Sequence, residues 1–115
     1  MRENHYVDKK RLDTVVGKTA DWKELAKDCV CFANSRGGII LIGIADGDSL
    51  PPASQKVDTD LPFQIKKKIA ENSVNVGANA TIKIGENGGE FIEVEILYSA
   101  STIAATTDGK YYYRS

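Results

Sequence analysis

The sequence predicts an α/β (α+β) fold: a single compact domain with a mixed β-sheet, about two packed helices and a C-terminal β-hairpin. Three observations predict it. Trp22, Leu25, Ala26, Cys29, Val30 and Ala33 recur at helical spacing, as do Leu61, Ile65 and Ile69. Between these stripes, Ile39-Ile40-Leu41-Ile42-Gly43-Ile44 holds five large aliphatics within six residues, a density that asks for burial on both faces of a sheet. The last third then alternates with period two, Ala80, Ile82 and Ile84 against Thr81 and Lys83, and Ile92, Val94 and Ile96 against Glu93 and Glu95.

In chain order, residues 5–11 (His5-Tyr6-Val7-Asp8-Lys9-Lys10-Arg11) contain no helix stop or turn cluster and read as a short polar edge strand. Asp21 with Glu24 three residues on forms a capping signal, and the helix it opens runs to Gly37. The Gly37-Gly38 pair supplies the left-handed backbone that lets a helix stop. Ile39 to Ala45 is the central strand, and Asp46-Gly47-Asp48 emerges at its edge, where an acid either forms a turn or serves a site. Residues 47–55, with two prolines, read as an exposed loop. Asp60 or a neighbour starts the second helix with Pro62 in its first turn. On that helix Lys66, Lys67 and Lys68 fan over about 200° and read as a solvated face. Asn87-Gly88 supplies the hairpin turn. Lys110-Tyr111-Tyr112-Tyr113-Arg114 closes the chain as an aromatic strand; tyrosines suit strands, and they also stack on bases.

At 115 residues, 42% hydrophobic and 27% charged, the chain has the size and composition of one domain with one core. No repeat or linker divides it. The abrupt end after a strand leads us to expect the N-terminal part of a longer protein. A net charge of −1 provides no global field for polyanions, so nucleic-acid contact would depend on local clusters of Lys and Arg. Residues 1–36, with eight basic and six acidic side chains, form the mildly basic third. Cys29 and Cys31, two apart on a helix, point roughly 200° away from each other, so no disulfide joins them and too few ligands surround them for zinc. No apolar run approaches the roughly 20 residues that span a bilayer and the N-terminus lacks the apolar core of a signal peptide, from which we expect a cytoplasmic protein without membrane contact.

Phe32-Ala33-Asn34 with Gly37-Gly38, the strand Leu41-Ile42-Gly43-Ile44 ending in Asp46, and the late Gly109-Lys110-Tyr111-Tyr112-Tyr113-Arg114 together resemble the Schlafen AlbA-type domain, also known as a DNA-binding or divergent AAA-type domain. The opening Glu3, Asp8 and Lys10 fit the same pattern, so the likeness covers nearly the whole chain. The resemblance implies a compact α/β domain placed N-terminally in bacterial regulators or helicase-like proteins. Some Schlafen members are metal-dependent endoribonucleases, and their catalytic carboxylates correspond by motif to Glu3, Asp8 and Asp46. Two departures stand out: position 8 is Asp where the family has Glu, which shortens the ligand's reach, and position 9 is Lys where the family has an aromatic. Schlafen cores also pair two such lobes around RNA, so a single lobe would need to dimerise to rebuild that cleft.

The chemistry can be argued on its own terms. Phosphodiester cleavage requires charge on the phosphoryl oxygens to be neutralised and a water activated, and Mg²⁺ or Mn²⁺ held by two or three carboxylates does both. Asp8 and Lys10 share one side of a strand, as a joint metal and phosphate site requires. Glu3, five residues before Asp8, converges only from a preceding turn or short helix. His5, the one histidine, reads as a solvated terminal residue. A conventional nucleotide cradle is disfavoured because Gly37-Gly38 ends a helix instead of opening one, and no P-loop pattern occurs.

The leading expectation is therefore a nucleic-acid-binding module in which Lys9, Lys10, Arg11 and Arg36 contact the phosphates of DNA or RNA. The alternative is a Mg²⁺- or Mn²⁺-dependent endoribonuclease with Glu3, Asp8 and Asp46 as metal ligands and Lys10 completing the catalytic set. A divergent ATP-binding or homodimerising domain is the third reading.

Overall fold

The computed structural model describes residues 7–98 and 103–110. Its elements run β1 (Val7–Lys10), α1 (Trp22–Ser35), β2 (Gly38–Ile42), α2 (Leu61–Asn72), β3 (Ser73–Val74), β4 (Ala78–Ile84), β5 (Glu90–Ile96) and β6 (Ala105–Thr106), with two short 3-10 turns at Leu12–Thr14 and Gly17–Thr19 between β1 and α1. Four strands form a mixed sheet in the order β1-β2-β5-β4, in which only the β1–β2 pair is parallel; β3 and β6 make a separate two-stranded ribbon.

The sheet is covered on one face. Register places Asp8 beside Ile40 and Lys10 beside Ile42, while Ile40 faces Val94 and Ile42 faces Ile92, so these side chains point the same way. Ile40, Ile42, Ile92, Val94 and Ile96 join Leu25, Cys29, Val30 and Phe32 of α1 and Leu61, Ile65 and Ile69 of α2 in one buried core. Both helices thus pack on this inner face. Val7, Lys9, Ile39, Leu41, Phe91, Glu93 and Glu95 lie on the outer face, half-buried or exposed.

The helix signals act as their chemistry requires. Asp21 accepts the Glu24 backbone N–H at 3.1 Å and caps α1. At the other end Gly37, with φ of +76°, donates its N–H to Phe32 O at 2.7 Å. A Cβ at Gly37 would meet Ile96 O at 2.6 Å, and one at Gly38 would lie 2.2 Å from the Phe32 ring. The glycine pair therefore stops the helix and lets the chain pass under its neighbours. Asn34 explains the third residue of Phe-Ala-Asn: its amide donates to Ala104 O at 2.8 Å and accepts from Ala104 N–H at 2.7 Å. That clamp brings the β6 segment against α1.

Three boundaries differ from the sequence expectation. The described part of the first strand is Val7–Lys10, because Arg11 leads directly into a 3-10 turn. The central strand ends at Ile42, not Ala45, since Gly43 adopts φ of +112° and leaves the ladder. Asp46 is consequently not at a strand edge but in the turn closed by Asp48 N–H to Ala45 O at 3.0 Å, with Gly47 at φ of +92°. The β4–β5 hairpin closes through Gly88 N–H to Gly85 O at 2.9 Å and Gly85 N–H to Gly89 O at 2.7 Å, with Gly88 left-handed, so Asn87-Gly88 forms part of a longer turn than two residues. The β3–β6 ribbon had no sequence signal, being two residues per strand. Tyr111 to Arg114 lie outside the described residues.

Candidate nucleic-acid interface

The carboxyl ends of β1 and β2 lie side by side and open a cleft of about 340 Å³ whose walls include Arg11, Leu12, Gly43, Ala45, Asp48 and Gln55. Crevices at the carboxyl ends of parallel strands are where open α/β sheets bind ligands. The floor is set by backbone: Gly43 N–H donates to Lys10 O at 2.7 Å just where β2 leaves the ladder. Gln55 latches the wall. Its side-chain amide donates to Gly43 O at 2.9 Å and to Glu90 O at 2.7 Å, while its backbone carbonyl accepts Glu90 N–H at 3.0 Å. A Cβ on Gly43 would come within 2.7 Å of the Gln55 amide nitrogen, so the glycine is what admits the latch. Glu90 in turn accepts Val57 N–H at 2.7 Å, which ties the loop before α2 to β5.

Of the four cations expected to meet phosphate, Lys9 and Arg11 lie at this end. Lys9 reaches across to the Asp48 carbonyl, and Arg11 is exposed, in a 3.3 Å pair with the equally exposed Asp13. An exposed pair of that kind is worth well under about 1 kcal/mol and yields readily to a phosphate. Lys10 faces the other way. Its ammonium, only 14% exposed, sits 2.5 Å from Asp28 of α1 and 3.3 Å from Asp8. Burial pulls its pKa down, but the hydrogen bond and charge of Asp28, helped by Asp8, outweigh burial and raise it above the usual 10.5. Arg36 caps α1 at the start of β2. Five strand residues separate it from the Arg11 end, roughly 17 Å, so the four cations form no single patch.

Asp8 shares the inner face with Lys10, Asp46 occupies the exposed turn beyond β2, and Glu3 and His5 lie outside the described residues. Among the described residues no three His, Cys, Asp or Glu side chains gather as a metal ion would need. Asp28 and Gln55 were missed from the sequence. Asp28 had a faint signal, an acid on the border of the α1 apolar stripe; Gln55, in a proline-rich loop, had none. Neither cysteine is in a disulfide; burial, reinforced by the charge of Asp28, pushes the Cys29 thiol far above its usual range, and it stays protonated in the core. Another cleft, of about 280 Å³ at the start of α1, mixes Asp21, Glu24 and Asp108 with Lys23 and Lys27 and offers no cationic surplus. No helix among the described residues is long and apolar enough to cross a membrane.

Comparison with known proteins agrees with this architecture. The fold is similar to that of the DIP2311 protein from Corynebacterium diphtheriae, with a TM-score of 0.70 and 20% identity over 100% of this chain and 24% of that one. The chain thus spans about a quarter of the length of that protein, and the likeness is one of fold. No curated protein matches the chain. The sequence profile described as Schlafen, AlbA_2 matches residues 3–115, which takes in both strands of the carboxyl-end cleft, the α1 clamp and the closing aromatic segment. On that match the chain belongs to the Schlafen AlbA_2 family.

Proposed function

We propose that this domain binds nucleic acid, with phosphates entering the cleft at the carboxyl ends of β1 and β2. The observation that carries the reading is the pairing, at one open cleft, of a weakly held exposed guanidinium, Arg11, with a wall fixed by Gln55. Lys9 stands beside it, while Lys10 is held by Asp28 and supports the strand. Membership of the Schlafen AlbA_2 family supports a nucleic-acid-related role. The setting we favour is a recognition module in a cytoplasmic bacterial regulator, in keeping with a likeness that covers 24% of the DIP2311 protein. The described residues offer nothing that favours a homodimer.

The test is binding of DNA and RNA as salt is varied. Affinity should fall steeply with salt, and Arg11→Ala should weaken all sequences alike and reduce the magnitude of the log–log slope by about one. Affinity flat in salt, or an Arg11→Ala protein that binds like wild type, would refute the reading.

A second reading draws on one specific feature, the convergence of Asp8, Asp28 and Lys10 on the inner face. Two carboxylates around a cation are a start towards a Mg²⁺- or Mn²⁺-dependent endoribonuclease in which Glu3, Asp8 and Asp46 would be the ligands. The described residues do not complete such a metal set. Metal-dependent RNA cleavage by the wild type, lost in Asp46→Ala, is its expected signature; absence of cleavage with either ion would dismiss it.

A further inference from the structure

Lys66-Lys67-Lys68 is the sequence feature that the carboxyl-end cleft leaves unused, and the structure adds an aromatic to it. Phe63 is 69% exposed, in the first turn of a helix whose Leu61, Ile65 and Ile69 are all buried. At 100° per residue, Lys66 lies about 60° to one side of Phe63, Lys67 about 40° to the other, and Ala70 within about 20° of the same line. The ring therefore stands between two cations with a small residue behind it, opposite the buried stripe. Lys66 and Lys67 are exposed and form no ion pair among the described residues, whereas Lys68 is paired with Glu71 at 3.5 Å. Of the other acids at this end, Asp58 accepts the Asp60 N–H at 3.0 Å. α2 itself carries three lysines and one glutamate, and with Asp58 and Asp60 standing before its first turn the cationic excess is confined to Lys66 and Lys67, the two charges that flank Phe63.

The face is also connected to the first cleft. A second cleft of about 340 Å³ shares Leu12 with it and runs past Val16 and Lys56 to Leu61 and Gln64 at the start of α2. Lys56 is 78% exposed and only 4.0 Å from Glu90 at its nearest, a pair too loose and solvated to hold it. Arg11 and Lys56 thus lie on adjoining clefts, and the second of these ends at Leu61 and Gln64, in the helical turn that carries Phe63.

We infer that the exposed face of α2 is a single-stranded nucleic-acid subsite, in which one base stacks on Phe63 and its flanking phosphates meet Lys66 and Lys67. The inference rests on the nucleic-acid reading above and adds to it the strandedness of the ligand, because a base reaches an aromatic face only when it is out of a duplex. DNA and RNA share the chemistry that Phe63 and the lysines read.

The experiment uses fluorescein-labelled oligo(dT) and oligo(rU), a duplex of equal length and phosphatidylserine vesicles as probes, with Phe63→Ala, Phe63→Trp, Phe63→Leu, Lys66→Glu/Lys67→Glu and Arg11→Ala proteins. Phe63→Ala and Phe63→Leu are expected to bind single strands about 5- to 150-fold more weakly, the range of one lost base stack, with Phe63→Trp retaining affinity. Lys66→Glu/Lys67→Glu should lower the salt slope by about two in magnitude. Single-strand binding unchanged by Phe63→Ala but lost in Arg11→Ala overturns the α2 subsite and leaves the cleft reading standing; no binding to any nucleic acid overturns both. Phe63→Leu binding like wild type, duplex binding as tightly as single strand, or the α2 variants losing vesicle binding while oligonucleotide binding stays constant, would each overturn the subsite.

Discussion

Lys10 and Asp28 join the edge strand β1 to helix α1 through an ion pair of 2.5 Å that is more than four-fifths buried at both side chains. The pair lies where an alternating strand turns a charged residue towards the core, and Asp28 is what makes that register tolerable. Asp28→Ala is expected to lower stability by about 2 kcal/mol, below the usual cost of orphaning a buried charge because Asp8 still serves Lys10. Replacing both partners together, as Lys10→Met with Asp28→Leu, should cost less than Asp28→Ala alone. Urea unfolding of the three proteins measures the difference.

The same pair gives the domain an alkaline limit. The folded state holds Lys10 protonated beyond the usual pKa of 10.5, so its contribution to stability is complete below that pH and fades as pH rises through the higher folded value. Wild-type stability should therefore fall above about pH 10.5 more steeply than that of the Lys10→Met/Asp28→Leu protein. Parallel curves would show that Lys10 is not the group responsible.

Asn34→Ala removes both hydrogen bonds that hold Ala104 and leaves a buried N–H and C=O unsatisfied. A loss of about 1–3 kcal/mol is expected. Amide exchange at Ala104 and Thr106 should quicken well before that of the β2–β5 ladder, since the clamp serves the β6 segment.

Gly38→Ala places a methyl group within 2.2 Å of the Phe32 ring, fully buried between helix and strand. Overpacking of this kind costs about 1–3 kcal/mol. Shrinking the ring should recover part of it, so Gly38→Ala with Phe32→Leu is expected to melt above Phe32→Leu corrected additively for Gly38→Ala.

Gln55→Ala frees the carbonyls of Gly43 and Glu90 and unlatches the wall of the carboxyl-end cleft. Stability should fall by about 1 kcal/mol. If the cleft takes phosphate, affinity for nucleic acid falls as well, by a dissociation-rate increase that calorimetry and stopped-flow mixing would record together.

Much of the fold was legible because it rests on local chemistry. Asp21 with Glu24, Gly37 with its left-handed φ, and the stripes of α1 and α2 each express a rule that operates within a few residues. The alternation of β5 likewise predicted that Ile92, Val94 and Ile96 enter the core, and that of β4 set Ala80 and Ile82 against it, but Ile84, expected on the same face, stands 70% exposed at the strand end. The candidate site was legible only in part. Asp8 and Lys10 do share a face, but the partner that claims Lys10 lies on a helix 18 positions along the chain, and no spacing rule reports such a meeting.

The sequence by itself determined the helices, the central strand and the closing β-hairpin, because periodicity, caps and glycines fix backbone conformation from neighbouring residues; the burial on both faces that the aliphatic run of the central strand suggested holds for one face only, since Ile39 and Leu41 are half-buried on the uncovered side. Tertiary structure alone decided that Lys10 is sequestered while Arg11 is exposed, that Arg36 stands at the far end of β2, and that Gln55 braces the cleft. The physical reason is that charge and hydrogen-bond partners are chosen by distance through space, and the packing of α1 and the proline-rich loop against the sheet sets those distances after the local elements have formed.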